Sequence, residues 1–99
     1  MIELFHGTDD AGLAGIIAAG AIRGPVFLTP RRDMAEEYAP NVVAVRVDED
    51  SLMIDADLPG QNLLTVQEAN DHFGNDGWSI RDYLRAGQSV AVSHDVVIA

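Results

Sequence analysis

Residues 42–47 read Val-Val-Ala-Val-Arg-Val, with four valines in six positions. β-Branched side chains are stiff about χ1 and fit a pleated sheet better than a helix. This run therefore predicts a central strand. Shorter apolar runs stand on either side of it. Ile2 to Phe5 and Val26 to Leu28 precede it; Leu52 to Ile54, Ser89 to Val92 and Val96 to Ile98 follow. Helix signals fill the gaps. Thr8 or Asp9 can cap a helix whose first turn is acidic, with Leu13, Ile16 and Ile17 at helical spacing and Gly20 as its stop. Thr29-Pro30 supplies a hydroxyl cap and a proline at the first helical position for a helix from Arg31 to Ala39, ended by Pro40. Asp48-Glu49-Asp50 predicts a turn, and Pro59-Gly60 a break. Thr65-Val66-Gln67-Glu68 is a capping box opening a helix to about Phe73, and Ser79 to Asp82 repeats the pattern before Gly87. Strands at both ends with helices between them predict an α+β domain.

The chain has 99 residues, which suits one domain and one modest core spanning residues 1–99. Cysteine is absent, which excludes disulfide scaffolds, thiolate zinc sites and cysteine nucleophiles. Six arginines, with no lysine, face sixteen acidic residues for a formal charge of −10. That surface repels phosphate backbones and anionic membranes, so no nucleic-acid or membrane partner is expected. A basic protein is the electrostatically favoured partner. No apolar run approaches the roughly 20 residues of a membrane span. The opening Met1-Ile2-Glu3-Leu4-Phe5 lacks the basic region of a signal peptide. A cytoplasmic location is the expectation.

Several chemistries are excluded by pattern. His6, His72 and His94 form no helical ligand pair, so no metal site is expected. Asp71 to Asp82 has the length of a calcium loop, but Asp76 stands where the turn needs glycine and Phe73 stands at a ligand position. There is no Gly-x-Ser-x-Gly elbow, phosphate-binding loop or dinucleotide fingerprint.

The opening remains. Leu4-Phe5-His6-Gly7-Thr8 ends a strand with an imidazole, a glycine that permits close approach to the backbone, and a hydroxyl. It is followed by Ile16-Ile17 and Gly20, then Val26-Phe27-Leu28-Thr29, then Ala35-Glu36-Glu37-Tyr38-Ala39. This order and spacing, over Leu4 to Val47, resembles the ADP-ribosyltransferase superfamily, most closely its diphtheria-toxin and poly(ADP-ribose) polymerase branch. The resemblance implies a small fold with a split, mainly antiparallel sheet and flanking helices, and NAD as substrate. It implies that His6 holds a ribose hydroxyl, the Gly7 backbone the nicotinamide carboxamide, and Thr8 the adenosine side. Phe27 and Tyr38 would stack the nicotinamide ring, and Arg23 would meet the pyrophosphate. In that branch a glutamate beginning a late strand stabilises the oxocarbenium. Here Asp95, in Ser93-His94-Asp95-Val96, is the carboxylate in place, with His94 as its neighbouring alternative. His6, Tyr38 and Asp95 form the expected catalytic set.

The resemblance implies an NAD-dependent transferase acting on a protein. The short chain, its charge and the aspartate in place of glutamate also suit another class: a non-catalytic acidic inhibitor or binding protein on the same scaffold, such as a phage anti-CRISPR-like protein. Trp78, just before the second capping box, is expected to staple its helix to the core, or else to be an exposed anchor for a partner.

Overall fold

The computed structural model describes residues 1–98, with the side chains of residues 57, 61 and 62 left aside. Its fold is α+β, and every strand pairing is antiparallel. Strand β1 (Ile2–Thr8) leads into helix α1 (Asp10–Ala19), short strands β2 (Ala21–Ile22) and β3 (Val26–Leu28), and helix α2 (Arg32–Tyr38). Strand β4 (Asn41–Val47) follows, then a 3-10 turn at Glu49–Ser51 and the hairpin of β5 (Met53–Leu58) and β6 (Gln61–Leu64). Helices α3 (Val66–Phe73) and α4 (Ile80–Arg85) precede β7 (Val90–Val92) and β8 (Val96–Val97).

The valine-rich run is β4, and it is an edge strand, not the expected central one: among the described residues it pairs only with β1, along its whole length, from Asn41 opposite Thr8 to Val47 opposite Ile2. A second sheet has the order β3-β7-β5-β6, and β2 pairs separately with β8. The two larger sheets meet at one point. Phe5 N–H donates to the Thr29 carbonyl at 3.0 Å, and Thr29 N–H donates back at 2.9 Å. Beyond that bridge β1 and β3 part.

The core lies on one face of the second sheet. Leu28, Val90 and Ile54 stand in register across β3, β7 and β5, and all three are fully buried. Val26 and Val92 do the same one pleat away. Burying each such side chain contributes roughly 1.5–3 kcal/mol. Ile16 of α1, Ala69 of α3, and Tyr83 and Leu84 of α4 close over the same cluster, with Leu4 and Val45 entering from the first sheet. Side chains alternate across a strand. The opposite face of the second sheet therefore carries Phe27, Ala91 and Met53, which share another row of the register.

Several sequence expectations are corrected. His6-Gly7-Thr8 belongs to β1 itself, because the long partner β4 carries pairing past the glycine. Pro59-Gly60 is the turn of a hairpin whose second strand, β6, was not expected. On α1 only Ile16 is buried, while Ile17 is 67% exposed. Of the two cap candidates for that helix, Asp9 is the one used, accepting from Gly12 N–H at 2.6 Å. Thr29 does not cap α2; its hydroxyl donates to the Arg31 carbonyl at 3.0 Å, and the cap position falls to Arg31, which makes no side-chain cap bond. Both capping boxes, at Thr65 and Ser79, are formed. Trp78 packs edge-on against Tyr83 with ring centroids 5.0 Å apart and stays 36% exposed, so it is a partly covered rim residue and not a core staple. Among the described residues, no helix is long and apolar enough to cross a membrane.

Candidate functional site

The parting of β1 and β3 opens a cleft of about 340 Å³. His6, Gly7, Phe27 and Tyr38 line it, together with Thr29, Asp55 and Ser89. Residues 21 positions apart meet at its mouth: His6 Nδ1 lies 2.8 Å from the Phe27 carbonyl oxygen. A carbonyl oxygen only accepts, so Nδ1 carries the hydrogen and Nε2 is left for a ligand. The imidazole thus spans the gap where the β ladder has stopped.

Gly7 is shaped by its neighbours. A Cβ added there would lie 2.7 Å from the Ala35 carbonyl oxygen and 3.5 Å from Tyr38 Cβ. The glycine lets α2 press against β1, and this contact brings Tyr38 to the cleft. Its backbone has a second consequence. In an antiparallel strand, N–H and C=O groups point alternately to either side. Phe5 turns its pair toward Thr29. Gly7, two residues on, turns its pair the same way, where β3 has already swung off. One main-chain donor and one acceptor are therefore presented to the split.

Both aromatic side chains are exposed. Phe27 is 43% open between the buried Val26 and Leu28, and Tyr38 is 80% open, one turn past the buried Ala35. Tyr38 stands on the β1–α2 side and Phe27 on the β3 side. Solvent-facing rings bordering one concave site form a stacking surface for a flat ligand. Phe5, also at the lining, has the Arg32 guanidinium 5.3 Å above its ring.

Three expected site residues lie elsewhere. Thr8 is at the far end of β1, with its hydroxyl packed over Gly12; a Cβ on Gly12 would meet Thr8 Oγ1 at 2.1 Å. Arg23 is exposed in the segment between β2 and β3 and does not line the cleft. Asp95 does not line it either. Its carboxylate accepts the Gly24 N–H at 2.7 Å and ties the 93–95 turn to the segment before β3. Gly24 is packed so closely there that a Cβ would lie 2.6 Å from the His94 backbone. His94 bonds within the turn itself, with Nδ1 2.8 Å from the Asp95 carbonyl. Asp95 is the turn residue of this segment, placed by the β2–β8 pairing and not by the cleft.

Asp55 and Ser89 were not foreseen. Asp55 N–H donates to the Ser89 carbonyl at 3.1 Å, continuing the β5–β7 register one step past Ile54 and Val90. Alternation from the buried Ile54 puts Asp55 on the same sheet face as Phe27. The isolated sequence signal was slight: one acidic residue next to a buried isoleucine. Its partner strand lies more than 30 residues away. Compared with known proteins, the chain matches no family model, no curated protein and no solved structure.

Proposed function

We propose that the protein is an NAD-dependent ADP-ribosyltransferase acting on a protein substrate. One observation carries the reading: His6, Gly7, Phe27 and Tyr38, which the ordered motifs single out, all border one cleft. Its chemistry fits the nicotinamide end of NAD. Two open rings suit a planar pyridinium, and the Gly7 N–H and C=O suit a carboxamide, which both accepts and donates. His6 Nε2 is available to a ribose hydroxyl. A volume of about 340 Å³ is near the small end of ligand pockets, roughly 300–1,000 Å³. It suits nicotinamide and its ribose, with the adenosine half lying over the rim.

The charge of −10 suits docking to a basic protein surface, an association that weakens with salt. The same charge favours the second reading, an acidic inhibitor that needs no NAD. Label transfer and nicotinamide release from NAD separate the two. The transferase reading expects both, with His6→Ala raising the NAD concentration needed. Inhibition of a basic partner without NAD, unchanged in His6→Ala, would replace it with the inhibitor.

A further inference from the structure

Resting on the NAD reading, we propose that Asp55 is the catalytic carboxylate of the cleft, supplied by β5 and not by the strand that closes the chain. The register is the argument. Leu28, Val90 and Ile54 occupy one row across β3, β7 and β5, wholly on the core face. Phe27, Ala91 and Met53 occupy the next row, on the other face. Ser89 and Asp55 extend that other face by one alternation each, and both reach the lining. Strand β7 thus brings a serine to the cleft where it begins, and the strand beside it brings a carboxylate. Asp55 is half-buried, with its backbone held by two consecutive residues before β7: its N–H donates to the Ser89 carbonyl, and its C=O accepts from Gln88 Nε2 at 2.8 Å. Asp55 is the one carboxylate among the described lining residues.

The step it serves balances without a co-reactant beyond the acceptor. The bond between C1′ of the nicotinamide ribose and the pyridinium nitrogen breaks. Its electron pair goes to that nitrogen, and neutral nicotinamide leaves. Positive charge passes to the ribose as an oxocarbenium. The acceptor nucleophile, a side chain or water, then bonds to C1′ and releases its proton to solvent water. Asp55 forms no covalent bond to the ribose; it holds a ribose hydroxyl and faces the developing cation. An anion beside apolar walls stabilises such a cation more than one in bulk water.

The test uses the full chain. Nicotinamide release from NAD is measured beside binding of carba-NAD, in which a methylene replaces the ribose ring oxygen. Asp55→Asn should release nicotinamide ~10²-fold or more slowly, the scale of a lost electrostatic stabiliser. It should bind carba-NAD within about threefold of the original, since the asparagine amide oxygen still accepts from the ribose hydroxyl and only the charge that faces the cation is removed. Asp55→Glu should retain part of the turnover, and Asp71→Asn, on the exposed face of α3, all of it. Unchanged release in Asp55→Asn overturns the proposal. So does a loss in Asp95→Asn that Asp55→Asn does not share. If the original chain neither binds carba-NAD nor cleaves NAD, the NAD reading itself fails and takes this one with it. If Asp55→Asn does not fold, the Asp55 carboxyl carbon resonance of the original chain decides: a shift on adding carba-NAD supports the role, and none overturns it.

Discussion

Gly7 and Tyr38 lie at one contact between β1 and α2. Gly7 has no room for a side chain, because the Ala35 carbonyl lies 2.7 Å from where a Cβ would stand. The obstacle is helix backbone, which cannot rotate aside. Gly7→Ala should therefore destabilise the fold by about 1–3 kcal/mol, the usual cost of overpacking. Denaturant unfolding measures this, and an unchanged midpoint would show that α2 can shift cheaply. Tyr38 is 80% exposed, so packing gives its ring little to do. Tyr38→Ala should leave the melting temperature unchanged yet weaken NAD binding roughly 10-fold, within the range for one stacked base. Tyr38→Phe should keep the affinity, because the ring and not the hydroxyl stacks. A melting-temperature drop with unaltered binding would make Tyr38 a structural residue.

At the scale of elements, helix α4 is held at its start by reciprocal bonds. Ser79 N–H donates to Asp82 Oδ2 at 2.9 Å, and Asp82 N–H donates to Ser79 Oγ at 3.3 Å. The Ser79 backbone N–H, then its hydroxyl, hold the Asp82 carboxyl below the ordinary aspartate range, with Arg85 adding a smaller pull. A lowered folded value gives stability that is full above the unfolded value. It is lost as pH falls through the folded one. Acid titration followed by circular dichroism should show α4 weakening in that window below the ordinary range. Asp82→Asn should have a flatter profile there, and an identical profile would remove Asp82 as the cause. The helix is also tied across the fold. The Arg81 guanidinium pairs with both Glu49 oxygens, Nε at 3.0 Å, which raises the arginine's pKa through hydrogen bond and charge together. This clamp joins α4 to the turn between β4 and β5.

Over the whole molecule, sixteen acidic residues and six arginines share a small surface. The three ion pairs formed among the described residues use three of the arginines, Arg31, Arg81 and Arg85. Uncompensated negative charge repels itself in the compact state more than in the unfolded chain. The melting temperature should accordingly rise as salt goes from about 10 mM to 0.5 M, where the Debye length falls from about 30 Å to a few ångströms. A fall over that range would mean that local ion pairs outweigh the general repulsion.

Local signals were the part legible in the chain. Val42–Val47 is a strand because four β-branched residues disfavour helix, whatever surrounds them. Thr65 and Ser79 open helices because a hydroxyl and an acid three residues on satisfy free N–H groups within one turn. The ordered motifs around His6, Phe27 and Tyr38 likewise pointed to residues that border one cleft. What the sequence could not decide were facts of pairing between distant strands. The resemblance implied site roles for Thr8 and Asp95, yet one packs on α1 and the other fastens Gly24. Asp55 looked incidental until pairing with β7 turned it to the face of Phe27. A one-residue slip in that register would send it to the core and bring Ile54 out. The pairing of β5 with β7, more than 30 residues away, brings Asp55 beside Ser89 and Phe27, so the carboxylate of this cleft is chosen by tertiary structure and not by local sequence.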